Sequence, residues 1–151
     1  RQRQMCIRDR RYTLQSNESQ SVSLREEMEF ASAYIFLLKM RFENNLQFDI
    51  QIAKSFEDYR LPPMAVQVLI ENAVKHNEIS DRKPLTIHIV TNNEGYLSVS
   101  NDIQPKRTAA SGTGIGLVNL AKRYRLLFKQ DIQITEDKEF SVCIPLIDEV
   151  Q

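Results

Sequence analysis

The chain has 151 residues, 42% of them hydrophobic and 26% charged, a globular balance that suffices for one domain with a single core. Twenty basic residues offset twenty acidic ones. No global field therefore draws nucleic acid or an anionic membrane, and an anionic ligand needs a local arrangement of groups. There is no apolar run of the roughly 20 residues that a membrane helix needs, and no secretory signal pattern.

Residues 1–22 are expected to be unstructured. Arg1 to Arg10 hold four arginines and little apolar pattern. The string Gln-Met-Cys-Ile-Arg-Asp-Arg reads either as translated adapter sequence foreign to the protein or as a disordered basic tail. Cys6 and Cys143 lie far apart and read as free thiols of a reducing compartment. Thr13 to Ser21 is polar, a linker by composition.

A long helix is predicted next. Ser23 and Glu26 form a capping-box pattern, and Leu24, Met28, Ala31, Ile35, Leu38 and Phe42 make one apolar stripe. A second stripe, Phe30, Tyr34, Leu37 and Arg41, predicts a helix packed on two sides, against its own domain and a partner helix. Leu46, Phe48, Ile50 and Ile52 alternate as a half-buried strand. Tyr59 to Pro63 is a break, with Pro62 and Pro63 placed to start a helix running from about Met64 to Asn77. Asp81 to Pro84 is a turn. Leu85 to Val90 and Tyr96 to Ser100 form a hairpin around Asn92 to Gly95. A polar loop from Ile103 to Gly114 leads to a helix over about Gly116 to Phe128. Strands near Ile132 to Thr135 and Phe140 to Leu146 follow, and Pro145 places the last one near an edge or ends it. This order predicts a two-layer α/β sandwich, a mixed or antiparallel sheet covered by helices on one face.

Three of only four glycines fall at Gly112, Gly114 and Gly116, between the polar loop and the last helix. Glycine lets a ligand approach the backbone, and the helix start offers free N–H groups, so the pattern fits a phosphate site; a loop hinge explains it equally well. No Gly-Lys-Ser/Thr follows, which excludes a P-loop, and no strand leads directly into it as a dinucleotide fingerprint requires. On the helix before the hairpin, Asn72, Lys75 and His76 share one flank. An amide oxygen suits Mg²⁺ and a lysine one turn away offsets phosphate charge, whereas the plainer reading is a solvated polar face. Asn101 and Asp102 end a strand, able to accept from an adenine amino group or to cap a turn.

In this order the pieces resemble the ATPase domain shared by histidine kinases, type II topoisomerases and heat-shock chaperones, the GHKL or Bergerat fold, and most closely the LytS-like sensor histidine kinases. Glu71 to His76 resembles the N box, with Asn72 at the Mg²⁺-ligand position. Ser111 to Leu117, containing Gly112, Thr113, Gly114, Ile115, Gly116 and Leu117, resembles the later glycine box of the ATP lid. Asn119 to Tyr124 resembles the helix after that box, and Leu24 to Phe42, with Glu26, Glu27, Tyr34, Arg41 and Phe42, the segment joining the phosphoacceptor helices to the ATPase domain. The resemblance covers about Leu14 to Leu146. It divides the chain into an N-terminal segment to residue 22, a linking helix over 23–44 and an ATP-binding domain over 45–151.

The resemblance implies ATP and Mg²⁺ as cofactors and transfer of the γ-phosphoryl group to a histidine, for relay to a response regulator, expected to be of LytTR type. It implies a homodimeric full-length protein anchored in the bacterial inner membrane. This segment is then a cytoplasmic domain with no membrane or nucleic-acid contact, expected to be inactive alone. The family's adenine-reading aspartate is replaced by Asn101, and its first glycine box is lost in Asn101-Asp102-Ile103-Gln104-Pro105. Of the two histidines, His76 falls in the expected ATP site and His88 mid-strand, so the phosphoacceptor is expected on a helix preceding this chain. Hydrolysing relatives place a glutamate where Val68 stands, and a valine cannot activate water. Two alternatives remain: a degenerate docking or dimerisation module of this fold, and an anti-sigma-type serine kinase.

Overall fold

The computed structural model describes residues 21–106 and 114–149. Helix α1, Leu24–Phe42, follows a two-residue strand β1, Val22–Ser23. The capping box forms as expected: the Glu26 N–H donates to Ser23 Oγ at 3.1 Å, and the Ser23 N–H donates to Glu26 Oε1 at 3.1 Å. The buried stripe is Leu24, Glu27, Ala31, Ile35 and Leu38, with Met28 and Phe42 only partly covered. The second stripe is not packed as a unit: Phe30 and Leu37 are 58% and 62% exposed, and Tyr34 is half-buried.

Strand β2, Leu46–Gln51, comes next; after it, β3, Arg60–Leu61, pairs antiparallel with β1. So Val22, in the segment expected to be unstructured, is paired with Leu61, and the break read at Tyr59 to Pro63 contains a short strand. Two residues per strand are too few to leave a periodic signal. Helix α2, Ala65–His76, starts one residue after the expected position, because Met64 takes a left-handed φ of 70° at the N-cap and both prolines precede it.

Strands β4, Leu85–Thr91, and β5, Tyr96–Asp102, form the hairpin; helix α3, Ile115–Phe128, and strands β6, Gln133–Glu136, and β7, Glu139–Pro145, complete the described chain. The sheet order is β2-β4-β5-β7-β6, with β2 parallel to β4 and every other pair antiparallel, a mixed sheet as expected. Strand β7 is internal, and Pro145 ends it opposite Tyr96. Pairing with β7 continues to Asp102 opposite Glu139, so Asn101 and Asp102 end β5 as read, two residues past the Ser100 end of the hairpin strand.

Ile87, Ile89, Leu97, Val99, Val142 and Ile144 turn to one face of the sheet and join the core with the buried residues of all three helices. Leu24, Ala31, Ile35 and Leu38 of α1 belong to this core. The opposite face is polar: Asp49, His88, Ser100, Ser141 and Thr135 lie in one row across five strands. His88 Nδ1 lies 2.9 Å from Asp49 Oδ2 there, a hydrogen-bonded histidine on the face away from the core.

Candidate nucleotide site

Helix α2 is held at its start by a group from another helix. Glu27 of α1 is 3% exposed, and its carboxylate accepts from the N–H groups of Met64 at 3.0 Å and Val66 at 2.9 Å. These are donors that a helix start leaves orphaned, and the negative charge lies at the positive end of the dipole. Arg123 of α3 donates to the Pro63 carbonyl in the same corner. The three helices are therefore pinned together at one end.

At its other end α2 presents Asn72, Lys75 and His76 to a groove of about 640 Å³. That lies within the range of ligand pockets. Gly114, Ile115, Gly116 and Leu117 from the start of α3 form a second wall. Tyr34 and Arg41 of α1 form a third, and Lys106 stands beyond β5. Gly114 has a φ of 84° and caps α3 without a side-chain bond. A Cβ on Gly116 would lie 3.4 Å from Val68 Cγ1, which shows how closely the two helices approach. Glu71, roughly 100° around the helix from Asn72, also borders the groove.

The groove is cationic. Neither Lys75 nor Lys106 has an ion-pair partner among the described residues. Asn72 makes no side-chain hydrogen bond there either. Burial, with Lys75 and Lys106 adding to it, holds the His76 imidazole below its ordinary pKa.

A second chamber of about 370 Å³ adjoins the groove and shares Asn72, His76, Asn77, Gly114 and Leu117 with it. Ile103, Pro105 and Phe140 give it apolar walls, and Glu136 lies at its border. Asn101 pairs with Phe140 across the ladder and is 1% exposed; its Nδ2 donates to the Asp102 carbonyl at 2.7 Å. Asp102, one position on, is exposed. Neither Asn101 nor Asp102 borders either chamber, whereas Asn72, Lys75, His76, Gly114, Ile115, Gly116 and Leu117 are brought together. Gly112 and Thr113 lie outside the described residues.

Some groups at the site carried no sequence signal. Asn77 is buried: its Nδ2 donates to the Ala73 carbonyl at 2.8 Å, and its Oδ1 accepts from the Gln104 N–H at 2.7 Å. The Glu78 N–H donates to the Gln104 carbonyl at 2.6 Å. These bonds stitch the chain leaving β5 to the end of α2. Asparagine after a helix reads simply as an end signal, so the partner 27 residues away was not legible. Tyr34 and Arg41 were visible as one face of α1, but not where that face points.

A histidine kinase family model matches residues 8–46. The chain is 34% identical over 143 residues to the sensor protein LytS of Streptococcus mutans, an alignment covering 84% of this chain and 24% of that protein. It is 32% identical over 133 residues to the sensor protein LytS of Streptococcus agalactiae serotype V, covering 78% of this chain and 23% of the relative. The chain thus spans about a quarter of the length of these curated relatives. Among solved structures, the catalytic domain of histidine kinase ThkA, in a nucleotide-free form, superposes with a TM-score of 0.57 at 19% identity, covering 85% of this chain and 97% of that one. Fold and sequence agree: the chain belongs to the LytS-like sensor histidine kinases and has the fold of a histidine kinase catalytic domain.

Proposed function

We propose that this segment binds Mg²⁺-ATP in the groove between α1, α2 and the start of α3, and holds the γ-phosphoryl group for transfer to a histidine on another helix of the full-length protein. The observation that carries this reading is the set of cations beside the Asn72 amide, without ion-pair or hydrogen-bond partners among the described residues, in one groove of about 640 Å³.

The groups present fit such a ligand. Among the described residues no cluster of three His, Cys, Asp or Glu gathers to hold a metal unaided. A divalent ion at Asn72 therefore needs phosphate oxygens, as Mg²⁺ bound with a nucleotide has. ATP would supply the phosphoryl group. Asn72 would hold Mg²⁺, Lys75 and His76 would meet phosphate oxygens, and the N–H groups at the start of α3 would face the chain of phosphates; the contacts expected of Gly112 and Thr113 lie outside the described residues. The adenine occupies the apolar second chamber; reading of its amino group by Asn101 Oδ1 requires that buried side chain to turn out of the core, because neither Asn101 nor Asp102 borders the chamber. Val68 cannot act as a base toward water, which favours transfer to a positioned acceptor.

In the full-length protein the acceptor histidine precedes α1, the partner is a response regulator of LytTR type, and the protein is a homodimer anchored in the bacterial inner membrane. No helix among the described residues is long and apolar enough to cross a membrane.

Calorimetric titration of the chain with a non-hydrolysable ATP analogue, with and without Mg²⁺, tests this. Mg²⁺-dependent binding that Asn72→Ala weakens at least about tenfold is expected. Absence of binding by folded protein at millimolar nucleotide rejects the reading in favour of a degenerate docking module.

A further inference from the structure

We infer that Arg41, on the last turn of α1, is a phosphate-contacting residue of the groove, so that nucleotide is gripped by the N-terminal helix as well as by α2 and α3. The inference rests on the nucleotide reading above and adds to it a ligand contact from outside the N box and the glycine loop.

Two basic residues end α1, Lys39 and Arg41, and either satisfies the helix dipole. Their surroundings differ. Lys39 Nζ lies 3.5 Å from the Leu46 carbonyl and 3.4 Å from Gln47 Oε1, occupied at the start of β2. Arg41 borders the groove with Asn72, Lys75 and His76. Its guanidinium has no carboxylate partner and no hydrogen bond among the described residues, and its Cζ rests 4.7 Å from the centre of the Phe42 ring. Stacking on a ring restrains the guanidinium while leaving its in-plane N–H groups free, and these match phosphate oxygens in pairs.

The neighbours agree. Tyr34 lies one face-repeat earlier on α1 and borders the same groove, where its hydroxyl feels both Arg41 and Glu71. Arg41 and Asn72 border this one groove from α1 and α2. Among the described residues of the groove, three cations, Arg41, Lys75 and Lys106, face one acid, Glu71. That imbalance suits a polyanion and leaves the site electrostatically unsatisfied without one.

The test is calorimetric titration of wild type, Arg41→Ala, Arg41→Lys and Lys39→Ala with the Mg²⁺-ATP analogue and with AMP, each protein's thermal midpoint being recorded. A lost charge-assisted contact weakens the analogue about tenfold or more in Arg41→Ala. Arg41→Lys is expected to fall between, Lys39→Ala to match wild type, and AMP to be affected far less than the triphosphate. If Arg41→Ala binds the analogue like wild type while Asn72→Ala does not, the inference is overturned and the nucleotide reading stands. If folded wild type binds neither ligand, both are overturned together.

Discussion

The Glu27 carboxylate accepts the Val66 N–H at 2.9 Å, so a side chain of α1 serves as the N-terminal cap of α2, 39 positions along the chain. The ordinary cap comes from the residue just before the helix. Here that residue is Met64, in a left-handed conformation with no side-chain bond to offer. The helix bearing Asn72 is thus anchored through Glu27 to the helix bearing Arg41.

Replacement of Glu27 by alanine leaves the part-buried Met64 N–H and the buried Val66 N–H without their acceptor, and a loss of about 2 kcal/mol is expected. Glu27→Gln keeps one oxygen and loses roughly half as much. Burial pushes the Glu27 carboxyl above its ordinary value of 4.5, with the Met64 and Val66 amides opposing. The folded state then binds this proton more tightly than the unfolded state. The group's contribution to stability is greatest below the unfolded pKa and declines as pH rises through the raised folded value. Urea denaturation at neutral and mildly acidic pH is expected to show wild type gaining on Glu27→Gln as pH falls.

Gly114 sits at a φ of 84°, and a Cβ there would meet nothing within 4 Å. Its replacement by alanine therefore acts through the backbone alone, at about 1–2 kcal/mol. If the left-handed residue sets where α3 begins, Gly114→Ala binds the ATP analogue severalfold more weakly. Gly116 has no such φ, and its added Cβ would lie 3.4 Å from Val68 Cγ1. Gly116→Ala is expected to perturb binding less in the same titration.

The Tyr124 hydroxyl donates to the Pro145 carbonyl at 2.8 Å, fully buried, joining α3 to the end of β7. Burial raises the phenol's pKa, so the donor stays protonated. Tyr124→Phe orphans the carbonyl, and thermal unfolding should register a loss of about 1–2 kcal/mol. Nucleotide affinity is expected to be unchanged, since this bond lies away from the groove.

His76 is held below its ordinary pKa by burial first and by Lys75 and Lys106 next. It is therefore neutral at pH 7, and protonation as pH falls opposes folding, because the unfolded state takes the proton more readily. A bound polyanion reverses the local charge and raises this pKa. NMR titration of the His76 ring is expected to give a value below 6.5 in the free protein, moving upward with the Mg²⁺-ATP analogue.

Periodicity and capping along the chain were enough to mark the three long helices and the five strands of the main sheet. Each of these elements carries its own local signal: the Ser23 to Glu26 box, the alternation of Leu85 to Ile89, the turn from Asn92 to Gly95. The side-chain spacing of Asn72, Lys75 and His76 also marked their shared flank, because helix geometry alone dictates it. What lay beyond local signal was whatever depends on packing between distant segments. The cap from Glu27, the grip of Asn77 on Gln104, the pairing of Val22 with Leu61 and the turning of Asn101 into the core are all of this kind. A buried carboxylate looks the same in sequence as a solvated one; only the arrival of a second helix at its oxygens makes it a cap. The direction of α1's second face belongs here too: the chain determined that Tyr34 and Arg41 share a side, and tertiary packing alone decided that this side closes the groove.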